Sequence, residues 1–523
     1  MATPPPDHNG GPSADTLAAL WRTAVARHAD RPLLHVAGDG SCFRYAEADE
    51  IVSLVAARHA AGGVRRGDRV CIVAPFHPEA AFVVWGAMLT GAVIAPLDCR
   101  LSADELDGLC RRIGPALVFC DRERGGALAG TGVPLVFFDD DRDDLYPGVC
   151  FADWLQDGKD AAPLPDGPQP DDPAVILFTS GTSSDARGVV LSHGALCRSG
   201  RLMADSYGWR CDDVLLNLGE LHTMSGLRNP CVAALHAGAA FVAADAVDRA
   251  NALRVARLVR DHRATLLGCV PAMLGQFNRF GERIGTDRLE TLRQVICTGS
   301  SLTDAVVAGF EARFGVPVMN YYGLTETAGL CTGVVPRRDG SRPAGIGIPL
   351  GCRIRIVDRA GEPVGAGEPG ELLVRSDRLM TGYWREPRLT ERVLADGWFR
   401  TGDLVRQEPD GSLLLVGRLA DSFKDRRGEF VHPGAVEEVL ELHPHVAEAG
   451  VCGYAAPDGG TFMAAFIVAA PDAPRGDLAG ELRRFVAERL GPHRTPDRIE
   501  RIDLLPRGTN DKLLRRILQE RCR

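Results

Sequence analysis

At 523 residues the chain exceeds what a single hydrophobic core normally organises, so it divides into more than one domain. Its 45% hydrophobic and 25% charged residues are ordinary for a globular protein, and a net charge of −9 argues against a nucleic-acid platform, which presents a basic face. The 15 cysteines include no C-x-x-C pair and no paired histidine spacing; this argues against a zinc or disulfide framework and makes them small buried side chains in a reducing cytoplasm.

Residues 1–14 are rich in Pro and Gly and lack an apolar core segment, so they read as a disordered leader rather than a secretory signal. A helix is expected after Asp15, a good capping residue, because Leu17, Leu20, Trp21, Ala24 and Val25 recur at helical spacing. Ala80 to Leu97 carries no charge and approaches the length of a bilayer span. Thr90-Gly91 and Pro96 interrupt it, so it reads as a buried helix to about Leu89, a turn, and a strand near Val93–Ala95; no membrane partner is expected. Further strands are expected at Val70–Val73, Leu117–Cys120, Leu135–Phe138, Val175–Phe178, Val214–Leu216, Leu266–Cys269 and Val295–Cys297. Several are apolar on both faces and alternate with amphipathic stretches, the pattern of an α/β layered fold.

Near residue 350 the pattern changes. Arg353–Val357, Gly370–Val374 and Ser412–Val416 alternate like strands of an all-β segment, punctuated by Gly361, Gly365, Gly367 and Gly370. Helices at Pro433–Leu442 and Gly480–Leu490 then mark a smaller unit. The expected division is a large domain over 15–419 and a small one over 420–523.

The sharpest chemical signal follows the Val175–Phe178 strand: Thr179, Ser180, Gly181, Thr182, Ser183, Ser184, Asp185, Ala186, Arg187 and Gly188. Backbone N–H groups and hydroxyls in such a loop can wrap a polyphosphate, with Arg187 adding positive charge. The spacing is not that of a Walker A loop.

This loop resembles that of the adenylate-forming superfamily: acyl- and aryl-CoA synthetases, nonribosomal-peptide adenylation domains and luciferases. Thr179, Ser180, Gly181, Thr182 and Gly188 keep the family pattern; Ser183, Ser184, Ala186 and Arg187 depart from it, Arg187 standing where the family carries Lys. Asn320-Tyr-Tyr-Gly-Leu-Thr-Glu326 is similar to a second family segment. There the resemblance implies that Tyr322 and Gly323 adjoin the adenine, that Thr325 contacts phosphate, that Glu326 holds Mg²⁺, and that Asn320 borders the acid. Gly397-Trp-Phe-Arg-Thr-Gly-Asp403 matches the segment whose Asp accepts hydrogen bonds from the ribose diol. Thr298-Gly-Ser-Ser-Leu302 matches more loosely and puts Gly299 and Ser300 beside the base. Gly417-Arg418 resembles the pair before the interdomain hinge, with Arg418 directed at ribose or phosphate and Ala420 at the usually charged hinge position. Beyond it, Lys424, Arg426 and Arg427 form a basic cluster suited to an acidic phosphopantetheine acceptor. Leu505-Pro-Arg-Gly-Thr-Asn-Asp-Lys512 resembles the closing motif, whose Lys meets the carboxylate and α-phosphate; Asp511 replaces its usual Gly.

The implied fold is a large N-terminal domain of layered α/β subdomains with a distorted β-barrel-like segment, and a small mobile α+β C-terminal domain. The implied reaction activates a carboxylic acid with ATP and Mg²⁺ as its acyl-AMP, releases pyrophosphate, and passes the acyl group to CoA or to the phosphopantetheine of an acyl carrier protein. Leu218-Gly-Glu-Leu-His-Thr-Met-Ser-Gly-Leu227 resembles the acid-pocket segment of acyl- and aryl-CoA ligases, with His222 at the gate and Gly226 lining it. No Asp is present there to pair with a substrate ammonium, so an aryl or acyl acid is expected over an amino acid. An amine acceptor and a catalytically impaired nucleotide-binding homologue stand as alternatives. The chain is expected to be a cytoplasmic monomer or homodimer.

Overall fold

The computed structural model describes residues 15–75, 77–139, 147–156, 167–179, 186–285, 287–300, 302–336, 341–424, 430–455, 461–470, 473–474, 476–507 and 513–522. The expected leader over 1–14 lies outside them.

The first helix spans Leu17–His28, and its cap is Thr16, not Asp15. Thr16 has an extended backbone, and its Oγ1 accepts from Ala19 N at 3.1 Å, the bond that an N-cap side chain makes. Asp15 stands one residue too early for that bond and instead pairs with Arg198 (3.2 Å) and Arg201 (3.5 Å).

The uncharged stretch forms a helix over Pro78–Thr90 and a strand over Val93–Pro96. From Ala80 to Thr90 every residue of the helix is buried, because the helices Leu17–His28 and Tyr45–Ala61, the helical turn Asn229–Ala233 and the strand Val93–Pro96 all pack against it. A Cβ at Gly86 would lie 2.4 Å from Val55 Cγ1, so glycine sets the close approach of the two helices. Among the described residues no helix is long and apolar enough to cross a membrane.

Two large sheets share one core. One has eight strands in the order Gly382–Tyr383, Gly188–Ser192, Pro173–Phe178, Val93–Pro96, Arg69–Val73, Leu117–Cys120, Leu135–Phe137 and Val149–Cys150. The other has nine, in the order Ile348–Pro349, Thr332–Gly333, Val318–Tyr322, Gln294–Cys297, Leu266–Cys269, Val214–Asn217, Ala240–Ala243, Pro32–Val36 and Cys42–Arg44. Both are parallel at the centre and antiparallel at an edge. Val70, Ile94 and Val175 of the first meet Leu215, Phe241 and Ile296 of the second in one buried cluster. Most of the cysteines are buried in these layers, Cys71, Cys110, Cys269 and Cys297 among them.

A five-stranded antiparallel sheet follows, built from Arg353–Val357, Gly370–Arg375, Leu394–Ala395, Trp398–Gln407 and Leu413–Arg418. The strand expected at Ser412 starts one residue later, because Ser412 bonds to Asp410 in the preceding turn. The C-terminal residues form their own sheet, Val446–Ala455, Thr461–Ala469 and Arg498–Arg501. The helices Pro433–Glu441, Leu478–Leu490 and Arg515–Arg521 cover it. This α/β architecture, with a large N-terminal part and a small C-terminal one, is the expected fold class.

Candidate active site

The site begins where the Val318–Tyr322 strand ends. Open α/β sheets place ligands at the carboxyl ends of their parallel strands. Here the chain turns sharply through Gly323 into a single 3₁₀ turn, Thr325–Thr327. A Cβ on Gly323 would lie 2.4–2.5 Å from backbone atoms of Gly329 and Leu330, so no other residue fits without moving the turn. Ala328 closes the turn at φ 52°, and its carbonyl accepts from Ser199 Oγ (2.6 Å) and Arg228 Nη1 (3.4 Å). Arg228 is fully buried and also donates to Tyr321 Oη at 3.1 Å, so a cation within the core supports the turn from behind.

Two polar groups radiate from this turn. Tyr322 Oη donates to Asp403 Oδ2 at 2.6 Å, while Arg418 Nε sits 2.9 Å from Asp403 Oδ1. Asp403 and Arg418 face each other across the Trp398–Gln407 and Leu413–Arg418 strands. Burial, then the neighbouring Asp403 carboxylate, pushes the Tyr322 phenol well above its usual range, so it remains a donor. On the other side, Tyr383 Oη donates to Glu326 Oε1 at 2.8 Å, and Met380 N donates to Glu326 O at 2.8 Å. Burial and Glu326 raise the Tyr383 phenol in the same way. The Arg187 guanidinium lies 5.9 Å from the Tyr383 ring centroid. Gly382–Tyr383 pairs with Val189 and Val190, just beyond the polar loop, and this brings Arg187, Tyr383 and Glu326 together.

That loop joins the strands Pro173–Phe178 and Gly188–Ser192, and Thr179 N donates to Arg187 O at 3.0 Å across its base. Ser180, Gly181, Thr182 and Ser183 lie outside the described residues, as do Lys512, Asp511, Arg426, Arg427 and the Lys424 side chain. Thr179 and Arg187 fix the loop's ends. Pro506 and Leu514 do the same for the Lys512 segment: Leu514 N donates to Pro506 O at 2.8 Å, and Arg507 bridges to Leu513.

The remaining candidates fall around the same turn. Thr325 is half-buried and opens it. Thr298 Oγ1 donates to Tyr321 O at 2.9 Å, which ties the segment carrying Gly299, at φ 106°, and Ser300 to the end of the Val318–Tyr322 strand. The Asn320 side chain donates to Gly345 O at 2.9 Å and so ties a neighbouring segment to the strand. Gly226 is a packing position, since a Cβ there would stand 1.9 Å from Glu220 O. The helix that begins at Met224 abuts Gly329, so the His222 segment borders the 323–329 turn.

His222 is largely buried, with Nε2 3.6 Å from Asp98 Oδ2, and burial lowers its pKa so that the ring is neutral near pH 7. Asp98 is itself clamped by Arg100 through contacts of 2.8 and 3.0 Å. Glu220 pairs with Arg249 at 2.9 Å, and Arg249 Nη1 also donates to Leu218 O at 3.1 Å. Both carboxylates around His222, Asp98 and Glu220, are therefore already paired with a cation of the protein, Arg100 and Arg249 respectively.

Tyr383, Arg228 and Asp98 were not picked out by motif reading. The Gly-Tyr pair at 382–383 was the available signal for the first; nothing local marks the other two.

Glu326 offers a hard oxygen donor, 9% exposed, with one oxygen bonded to Tyr383. No cluster of three or more metal-binding side chains exists among the described residues. A single buried carboxylate of this kind can hold Mg²⁺ together with phosphate oxygens.

The sequence profile of AMP-binding enzymes matches residues 21–384, and that of the AMP-binding enzyme C-terminal domain matches 435–512. The fatty acid–[acyl-carrier-protein] ligase ScoC of Streptomyces coeruleorubidus is 32% identical over 486 residues, covering 88% of each chain. The sulfoacetate–CoA ligase of Cupriavidus necator is 30% identical over 509 residues, covering 96% of this chain and 97% of its own. The crystal structure of ATP-bound MatB from Rhodopseudomonas palustris superposes with a TM-score of 0.85 at 25% identity, over 97% of this chain and 99% of that one. With both profiles in order along one chain, and with relatives matched over nearly their full length, this protein belongs to the AMP-binding enzyme family.

Proposed function

We propose that the protein is an acid–thiol ligase. It activates an acyl or aryl carboxylic acid with MgATP, forming acyl-AMP and pyrophosphate, and transfers the acyl group to the thiol of CoA or of a carrier-protein phosphopantetheine. The observation that carries this reading is the convergence of the hydrogen-bonded pairs Tyr322–Asp403 and Tyr383–Glu326, with the Arg187 guanidinium over the Tyr383 ring, on one turn at the end of a parallel strand. In the first step the carboxylate oxygen attacks the α-phosphorus and the bond to pyrophosphate breaks. Asp403 holds the ribose diol, Tyr322 and the Gly299–Ser300 turn border the base, and Arg187 with the 179–183 loop receives the polyphosphate. Thr325 contacts phosphate, and Glu326 holds Mg²⁺, which supplies charge neutralisation on the phosphate oxygens. Lys512 bridges the acid and the α-phosphate. In the second step the thiol sulfur attacks the acyl carbon and AMP leaves.

The acid binds beside His222 without an ammonium partner, because Arg249 occupies Glu220. The division at 419/420 makes residues 420–523 a lid that withdraws Lys512 between the steps. The cytoplasm supplies both ATP and a thiol acceptor.

A pyrophosphate-release screen over fatty, aryl and amino acids, with product masses read in the presence of CoA, holo carrier protein or amines, tests the reading. Acid-independent or absent pyrophosphate release would overturn it. Arg187→Lys is expected to keep or raise adenylation, since the charge is retained; its complete loss would assign the guanidinium fork a bond that an ammonium cannot make. Tyr383→Phe removes the hydroxyl from Glu326. With one hydrogen bond to a charged group worth roughly 1.5–3 kcal/mol, an approximately tenfold or larger fall in turnover at low Mg²⁺ is expected, partly recovered at high Mg²⁺. An unchanged Mg²⁺ dependence would refute the role of Tyr383 in positioning Glu326.

A further inference from the structure

The five-stranded sheet has two unlike faces. Along Trp398–Gln407, Phe399, Thr401 and Asp403 are buried, while Trp398 and Arg400 alternate with them toward the other side. On that outer side Arg353 lies directly across from Arg375, and Leu373 lies across from both Arg355 and Arg400. The Arg355 guanidinium sits over the Trp398 ring, 4.3 Å from its centroid. Glu371 pairs with Arg400, but no carboxylate among the described residues pairs with Arg353, Arg355 or Arg375. Like charges directly opposite on a sheet destabilise it. Arg353, Arg355 and Arg375 are all exposed, so in a chain of net charge −9 this face offers an accessible cluster of positive charge suited to an anion.

The shape narrows the occupant. Arg355, Leu373, Arg375, Asp396, Trp398 and Arg400 line a wide-open surface depression of about 420 Å³. That is the scale of one small ligand, whereas a folded protein partner covers a broad patch of about 800 Å² on each side. Guanidiniums in a fork match phosphate oxygens, and an indole with a stacked guanidinium offers a flat surface to an aromatic base.

We propose that this outer face binds a nucleotide bearing two or more phosphate charges, at a site separate from the one around Asp403. The phosphates lie between Arg355 and Arg375, with Arg353 beside them across from Arg375, and the base stacks at Trp398. Two sources share this chemistry: free adenine nucleotide, and the 3′-phosphorylated adenosine diphosphate end of CoA. The site does not depend on the catalytic assignments above.

The test is calorimetric titration of the full chain and of the double variant Arg353→Gln/Arg375→Gln with ADP, ATP, adenosine 3′,5′-bisphosphate and desulfo-CoA. Acid-dependent pyrophosphate release at saturating ATP serves as the control for folding and is expected to be unchanged. The double variant should lose one binding event, or weaken it at least tenfold. Loss confined to ADP and ATP identifies free nucleotide; loss confined to desulfo-CoA and the bisphosphate identifies the CoA end. Trp398→Leu should weaken the same event for these probes while leaving inorganic pyrophosphate binding as it was. Wild-type affinity and stoichiometry of the double variant for all four probes would overturn the proposal.

Discussion

Lys512→Ala is expected to slow acid-dependent pyrophosphate release by about 10²–10³-fold, the usual effect of removing one preorganised group that meets charge developing in a transition state. The ATP concentration for half-maximal rate should change little, because Asp403, Tyr322 and Arg187 hold the nucleotide in the proposed site without it. The segment that carries Lys512 is anchored at both ends. Arg507 pairs with Glu448 at 2.7 Å, and Arg515 joins Glu437 (2.6 Å) to Asp421 (3.0 Å), just past the proposed hinge. A cation delivered from so fixed a base acts through its position, so the loss should fall on turnover. Thioester formation from supplied acyl-AMP and thiol should survive in the same variant, since the proposed lid has withdrawn Lys512 by then. Near-wild-type adenylation, or equal loss of both half-reactions, would refute this role.

Much of the architecture was legible from short-range pattern. Strands such as Val70–Val73 and Leu266–Cys269 are apolar on both faces because helices cover both faces of their sheets, and such runs are hard to mistake. The Trp398–Gln407 strand is less legible, because Arg400, Thr401, Gly402 and Asp403 break any apolar alternation. It is a strand because its partners on both sides, Gly370–Arg375 and Leu413–Arg418, supply the ladder. The misplaced helix cap has a related cause. Asp15 and Thr16 are both capping types, and only the backbone conformation chooses between them. At the site, Asn320–Glu326 is legible as one contiguous segment because it runs from a strand end directly into a single turn. Tyr383 and Arg228 reach Glu326 and Ala328 by hydrogen bonds across long separations in sequence, and Asp98 lies 3.6 Å from His222; no local pattern encodes such pairings.

Asp403→Ala should produce the second large effect, on nucleotide binding more than on the chemical step. Asp403 is 2% exposed and takes hydrogen bonds from two protein groups, which fixes its carboxylate before any ligand arrives. A vicinal diol donating to that carboxylate gains charged-acceptor bonds of roughly 1.5–3 kcal/mol each, with little reorganisation. Losing them should raise the KM for ATP by about 10²-fold, with a smaller fall in kcat. The variant also leaves Arg418 without its carboxylate and the Tyr322 hydroxyl without its acceptor inside the protein, so the melting temperature should fall. Asp403→Asn separates the two consequences. It keeps an acceptor for Tyr322 and much of the packing, yet lacks the charge, so stability should recover further than the KM does. If 2′-deoxy-ATP and ATP are distinguished equally well by wild type and Asp403→Ala, the carboxylate does not read the ribose. Its partnership with Arg418 and Tyr322 would then be purely a strut between the strands.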